Sequence, residues 1–437
     1  MPKAQATDKL ARAAKLHAEY EKQPAKLDKF FDSKFSLFYK YGEERGFCQF
    51  IFLNLLRNKR IIESILSRFL RKRPKALLFS LLKCAAAEIL ASPPEKTAQI
   101  AHAWVQCCKE RFSKPEAAMA NAVLRKFAPE YEKAKLSAKS LEDFALLYSH
   151  PLWLAKSWKS RFGEGKAVEI MRQNSKPAGV FLRVSPSQEA AEIFKKYSEF
   201  FEACAVEGFF RLKGGAFDKI SPLLNSPFFY IQDPATSFAP ALLNPKGGEK
   251  ILDLCAAPGG KSRILADLAL KSGKDLAKTS LVSVDLPGER FELLKQNLSK
   301  IGFLNARAVS ADIIKGELAG ALKRESLPEK YDAVFLDAPC SNTGVLRRRP
   351  DARYRLSPAD ISACAEIQLR LILEAAKFLK PNGRLAYSTC SIDPLENEEA
   401  PKRAAALLPN LEIRQMKTIF PDDSLDGAGM CLFAPRL

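Results

Sequence analysis

Apolar residues recur at three- and four-residue intervals through the first third of the chain, as in 60–70 and 75–90, without strand-like alternation. That spacing predicts helices packed on one face. Pro74 and the Pro93-Pro94 pair punctuate them. Near residue 178 the pattern changes: 179–184 is a short β-rich run, 188–201 has the period of an amphipathic helix, and short apolar runs follow, broken by Gly214-Gly215 and Pro222. After Gly247-Gly248 strand-like runs stand at 250–254, 280–285, 306–309, 331–336 and 383–388, with helical patterns at 260–272, 288–301 and 359–379. Alternating strands and helices imply a mainly parallel, doubly wound α/β sheet. Such sheets bind ligands at the carboxyl ends of their strands, beside the point where strand order reverses. The pattern therefore predicts three parts: a helical domain at 1–145, a linker and small α/β connector at 146–245, and a Rossmann-like domain at 246–437.

Charge adds a partner. The 437 residues carry 69 Lys+Arg against 50 Asp+Glu, a net +19. Residues 1–140 hold 28 of the basic and 14 of the acidic residues, so most of the excess lies in the helical third. A general solubility role would spread the charge, whereas a surface for a polyanion concentrates it. The cluster Arg71-Lys72-Arg73-Pro74-Lys75 suits either phosphate at a helix start or a plain exposed turn. Ten cysteines without C-x-x-C spacing and three scattered histidines speak against a disulfide scaffold and against a metal site. The polar N-terminus and the lack of any long apolar run point to a cytoplasmic chain with reduced thiols and no membrane span.

The first strand of the last domain runs into Asp253-Leu254-Cys255-Ala256-Ala257-Pro258-Gly259-Gly260-Lys261-Ser262. Small residues and two glycines allow a tight turn and close approach to a ligand. Gly260-Lys261-Ser262 matches the tail of a phosphate-binding loop, but Cys255 stands where the first glycine belongs, which disfavours an NTPase. Asp285 ends the second strand, where a carboxylate accepts from ribose hydroxyls; Asp312 ends the third, placed for an adenine amino group. An acid at a strand end is commonly just a helix cap, but the repetition favours an unphosphorylated adenosine ligand.

The fourth strand leads to Asp337-Ala338-Pro339-Cys340-Ser341 and the fifth to Tyr387-Ser388-Thr389-Cys390-Ser391. One such cysteine alone reads as small core filling. Two at one ligand-binding rim suit covalent catalysis on a pyrimidine. A thiolate adding at carbon 6 of cytosine makes carbon 5 nucleophilic enough to accept an activated methyl group, and a second group must then help to free the enzyme.

Together Asp253 to Lys261, Asp337 to Cys340, Tyr387 to Ser391 and Pro394-x-Glu396-Asn397 resemble the RNA 5-methylcytosine methyltransferases of the RsmB/Sun type. Upstream, Gln232-Asp233-Pro234-Ala235, His150-Pro151-x-Trp153 and Asn121-x-Val123-Leu124-Arg125 resemble the RsmB subgroup, and Asp426-Gly427 resembles the turn into the final strand pair. The resemblance implies a Rossmann-like, S-adenosylmethionine-dependent methyltransferase domain preceded by an all-α NusB-like RNA-binding domain and the small connector. It implies Cys390 as nucleophile, Cys340 as the thiol that assists release, Asp337 between cofactor and cytosine, and Lys261 orienting the base. Cys255, Ala256, Ala257, Pro258, Gly259, Gly260 and Lys261, with Asp285, Arg290, Asp312 and Asp337, would hold the cofactor. Arg347, Arg348 and Asp351 also match family positions.

The implied substrate is a cytidine of 16S ribosomal RNA, free or in a partly assembled small subunit, modified by a monomeric enzyme without metal. Ser185 stands in place of a usual asparagine, putting a connector contact in doubt, while Asn342 and Asn382 replace frequent glycines and are expected to stay clear of the chemistry. A non-catalytic RNA-binding or assembly factor on the same fold is the alternative; it would need neither thiol.

Overall fold

The computed structural model describes residues 3–35, 42–273, 275–302 and 305–436. It divides into two compact units: Met1–Ala178 with Leu346–Arg355, and Gly179–Val345 with Leu356–Leu437.

The first unit is built of helices, among them Lys3–Lys22, Gly42–Arg68, Ala76–Ala91, Thr97–Arg111 and Lys114–Ser137, and helices continue past residue 145 as Leu152–Phe162 and Glu164–Ser175. The helix Ala76–Ala91 is the central one: Leu78, Leu82, Cys84, Ala85 and Ala86 are all buried, so it is apolar on most sides. Phe31, Phe52, Trp104 and Phe127 fill the core around it. Helix starts are set locally, as where Ser113 and Glu116 form a reciprocal capping box. Lys83 is fully buried yet paired, its Nζ 2.5 Å from Glu21 and 3.3 Å from Glu63. Residues 71, 72, 73 and 75 of the basic cluster lie exposed just before the central helix.

This unit also takes in a segment from far along the chain. Arg57 donates twice to the carbonyl of Arg347, at 2.8 and 3.1 Å. Arg353, fully buried, donates to the carbonyls of Tyr148 (3.1 Å) and Asn174 (2.9 Å), and the Tyr354 hydroxyl to Leu56 (2.8 Å). Arg347 and Asp351, matched to family positions by sequence, are thus buried parts of the helical unit.

The second unit holds two sheets. Strands β1 (Phe181–Val184), β2 (Phe201–Ala203), β3 (Phe209–Leu212) and β4 (Phe229–Ile231) form an antiparallel sheet in the order β2-β3-β1-β4. The helical period over 188–201 overstates the helix, which is Gln188–Lys195; Phe201 pairs with Leu212 as a strand instead, so tertiary pairing overrides the local period there. Ser185 keeps polar contacts despite its short side chain: Arg263 donates to its Oγ at 2.9 Å, and Oγ lies 3.3 Å from Asp267. A cavity of about 790 Å³, lined by Val184, Phe194, Phe210, Phe238, Ile264 and Leu268, opens beside this sheet and is lined by none of the candidate site residues.

The larger sheet contains β5 (Lys250–Leu254), β6 (Ser280–Asp285), β7 (Asn305–Ser310), β8 (Tyr331–Asp337), β9 (Leu379–Thr389), β10 (Leu411–Ile419) and β11 (Ala428–Pro435), in the order β10-β11-β9-β8-β5-β6-β7. Strands β5 to β9 pair in parallel, while β11 runs antiparallel between β9 and β10. Strand order reverses between β5 and β8, so the loops after those strands open at the ligand-binding edge. Leu252, Val282, Val334 and Leu385 form one buried layer and Ile251, Leu281, Phe335 and Ala386 the other.

Candidate active site

The loop after β5 is held from several sides. Ser262 Oγ donates to the buried Asp253 carboxylate at 2.5 Å, and burial raises that carboxyl to about 7. Asp285, at the end of β6, accepts from the amide of Ala257 at 2.7 Å and from that of Leu286 at 2.8 Å. From the helix Glu289–Leu298, Arg290 donates to the carbonyl of Ala257 and Asn297 to that of Pro258 at 2.8 Å. Gly259 has φ +102, and a Cβ there would lie 3.1 Å from Leu294 Cδ1, so this turn requires glycine. Cys255 is half-buried, with its thiol pushed well up by burial, which makes it a wall of the loop rather than a reactive group. Asp312, beyond β7, uses Oδ1 to accept the amides of Ile314 (3.0 Å) and Lys315 (3.1 Å), so it caps its own turn whatever else it meets.

The reacting side lies one strand over. Asp337 and Ser388 are register partners on β8 and β9. The Lys261 ammonium bonds the Asp337 carboxylate and donates to Ser388 Oγ at 3.1 Å, tying the loop after β5 to both strand ends. Just beyond them the sulfurs of Cys340 and Cys390 lie 2.8 Å apart, both as free thiols. The hydrogen bond to Cys390, burial, and the Cys390 and Glu396 charges raise the Cys340 thiol well above its ordinary range. Either sulfur can donate to the other across this contact.

Lys261 is occupied by a carboxylate, and the loop offers no first glycine, so the features of a phosphate cradle are missing here. Acidic strand ends that accept hydrogen bonds, together with a glycine-tight turn, fit an adenosine carrying an amino acid.

Comparison with known proteins gives the lineage. The chain is 32% identical over 375 residues to "Probable ribosomal RNA small subunit methyltransferase B" of Bacillus subtilis (strain 168), covering 82% of this chain and 79% of that protein. The family described as 16S rRNA methyltransferase RsmB/F matches residues 240–430, and the NusB family matches residues 6–129. This chain belongs to the RsmB/F methyltransferase family. The Shewanella oneidensis ribosomal RNA small subunit methyltransferase B is 32% identical over 301 residues, 67% of this chain and 65% of that protein's length. Among solved structures the protein PH0851 superposes with a TM-score of 0.71 over 99% of each chain at 22% identity, a likeness of fold. The cofactor of this RsmB/F protein is S-adenosylmethionine.

One expectation from sequence is corrected. Asn342 does touch the thiols: Cys390 Sγ donates to its Oδ1 at 3.3 Å, and its Nδ2 donates to the Cys340 carbonyl at 2.9 Å. Its φ of +63 explains why glycine is frequent in the family there and why asparagine, which tolerates that region, can replace it. Asn382 lies within β9, in the register shift between the paired residues Leu379 and Arg384 and before Gly383. Sequence reasoning named Ser262 and Ser388 only as members of motifs, with no role, and did not name Asn297; the bonds of Ser388 and Asn297 depend on partners far along the chain. Among the described residues no His/Cys/Asp/Glu cluster could hold a metal, and no helix is long and apolar enough to cross a membrane.

Proposed function

We propose that this protein methylates carbon 5 of a cytidine in 16S ribosomal RNA through a covalent intermediate between Cys390 and carbon 6. The observation that carries this reading is the 2.8 Å approach of two free thiols at the ends of adjacent strands, next to the Lys261–Asp337 pair. Binding alone requires neither sulfur. The names of the relatives supply the choice of RNA.

In this mechanism S-adenosylmethionine, when bound, supplies an electrophilic methyl group. Cys390 adds through Sγ to carbon 6, which breaks the aromaticity of the ring and makes carbon 5 nucleophilic. Asp337 and Lys261, bonded to each other, present an acceptor and a donor to the polar edge of the base and hold it over the thiol. After methylation the carbon 5 proton passes to solvent with the assistance of Cys340, the electron pair of that C–H bond rebuilds the carbon 5–carbon 6 double bond, and Cys390 leaves carbon 6 as a thiolate. The target base must leave its stack, since carbon 6 is covered in a helix. The basic helical unit, a match to the NusB family, holds the RNA backbone.

The test is transfer of labelled methyl from S-adenosylmethionine to ribosomal RNA, with the product nucleoside identified. Wild-type protein should yield 5-methylcytidine and Cys390→Ala none. Cys340→Ala should accumulate protein covalently bound to RNA. Activity surviving in Cys390→Ala overturns the mechanism, and RNA binding without methylation by the wild type favours a binding factor.

A further inference from the structure

We infer that Glu396 is a positioning residue for this reaction: its buried carboxylate ties the two thiol-bearing loops together through Ser341 and Ser391, and so sets how Cys340 and Cys390 face each other. The inference rests on the thiol pair acting as proposed above.

Glu396 projects from a wide π-type turn, Leu395–Glu399, and is fully buried. Such turns often occur at functional sites. Four donors converge on the carboxylate. Ser341, the residue after Cys340, gives its amide to Oε2 at 3.0 Å and its hydroxyl to Oε1. Ser391, the residue after Cys390, gives its hydroxyl to Oε1 at 2.5 Å. Gln368, from the helix Pro358–Ala376, donates to Oε2 at 2.8 Å and with the same amide nitrogen to the carbonyl of Pro339 at 2.9 Å, the residue before Cys340. Each thiol is therefore one residue from a bond to the same carboxylate.

The donor pattern fits an anion. The Ser341 amide and the Gln368 amide can only donate, while the two serine hydroxyls also meet Thr343 Oγ1, and among the described residues no lysine or arginine forms an ion pair with the carboxylate. Burial outweighs the pull of the donors and leaves this carboxyl raised above its ordinary value. A buried carboxylate without a cation costs folding energy that an apolar side chain would not. Its position on both cysteine loops gives that cost a function. The loops also have a second link, in which the amide of Gly344 donates to the carbonyl of Cys390 at 3.0 Å and the amide of Ile392 to Thr343 Oγ1 at 3.0 Å. Loss of Glu396 should therefore loosen the thiols without dismantling the loops.

The experiment compares Glu396→Gln, Ser341→Ala, Ser391→Ala and their combinations with wild type and Cys390→Ala, in the full chain. Glu396→Gln turns one acceptor oxygen into a donor that faces donors. We expect kcat for methyl transfer to fall about 100-fold, the scale of an ångström misplacement, with the KM for RNA and S-adenosylmethionine affinity by calorimetry unchanged. Adduct formation with RNA containing 5-fluorocytidine, in which fluorine blocks release, should slow by the same factor. The two serine variants should each lower kcat, and adding Glu396→Gln to the double serine variant should cost little more, because all three act through one contact. If Glu396→Gln fails to fold, the serine variants decide the matter alone. Wild-type kcat in folded Glu396→Gln, wild-type kcat in the double serine variant, or a change confined to KM each overturns the assignment. Activity persisting in Cys390→Ala instead overturns the reaction mechanism, and so separates the two failures.

Discussion

Cys340 and Cys390 occupy equivalent places after neighbouring strands, yet their surroundings differ: burial and the contact with Cys390 push the Cys340 thiol up, while Cys390 Sγ also meets Asn342. We expect Asn342→Gly to lower methyl transfer about fivefold, the worth of one hydrogen bond near 1 kcal/mol, with little loss of stability, because the backbone there already suits glycine. Steady-state kinetics and thermal unfolding check the two halves of that statement. Elsewhere His17 is buried against Phe52, its Nδ1 3.0 Å from Ser80 Oγ, and burial depresses it to about 3. The unfolded chain takes up this proton near pH 6.5, so the helical unit should lose stability as pH falls from 6.5 towards 3, by up to about 1.4 kcal/mol per pH unit for this group. All three tryptophans (Trp104, Trp153, Trp158) lie in that unit, so their fluorescence can follow its unfolding. His17→Gln should flatten the dependence, and an unchanged slope would assign it to other groups.

At the scale of elements, the site is made by loops that close on one another. Gly344 donates its amide to Cys390 and accepts one from Gly427 at 2.8 Å, the turn that leads into β11. A Cβ at Gly344 would lie 2.5 Å from the Gly427 carbonyl oxygen and 2.8 Å from that of Cys390. Both obstacles are backbone, so the strain cannot be relieved by a side-chain rotation. Gly344→Ala should cost about 1–3 kcal/mol of stability and about 100-fold in methyl transfer, measured on the same preparation; wild-type activity would show that the loops have slack. Strands β5, β6 and β8 were legible because apolar runs end in acids or small residues. Phe201 was not, since its choice between helix and strand depends on Leu212 across the small sheet.

For the whole molecule, net charge dictates how RNA should bind. If the basic helical unit grips phosphates, RNA affinity should weaken about 1000-fold between roughly 50 and 200 mM salt. Fluorescence anisotropy titrations with ribosomal RNA fragments measure the slope, and a flat response would reduce the +19 to a solubility feature. The excursion of Leu346–Arg355 into the helical unit belongs to this scale too. In the sequence, Arg347 and Arg348 could only be matched to family positions, with no partner indicated. Arg353 bonds the carbonyls of Tyr148 and Asn174, residues about 200 positions away.

The amino-acid order by itself determined the helical first third, the alternating strands and helices, the glycine-tight loop and the two cysteines after apolar runs, because each is a local pattern with its own period or backbone requirement. Tertiary structure alone decided what those residues do to one another: that Lys261 is taken by Asp337, that Asn342 reaches a thiol, and that Ser341 and Ser391 share one buried carboxylate. Most of these contacts join side chains dozens of residues apart in the chain, and only strand register and loop closure can bring those together.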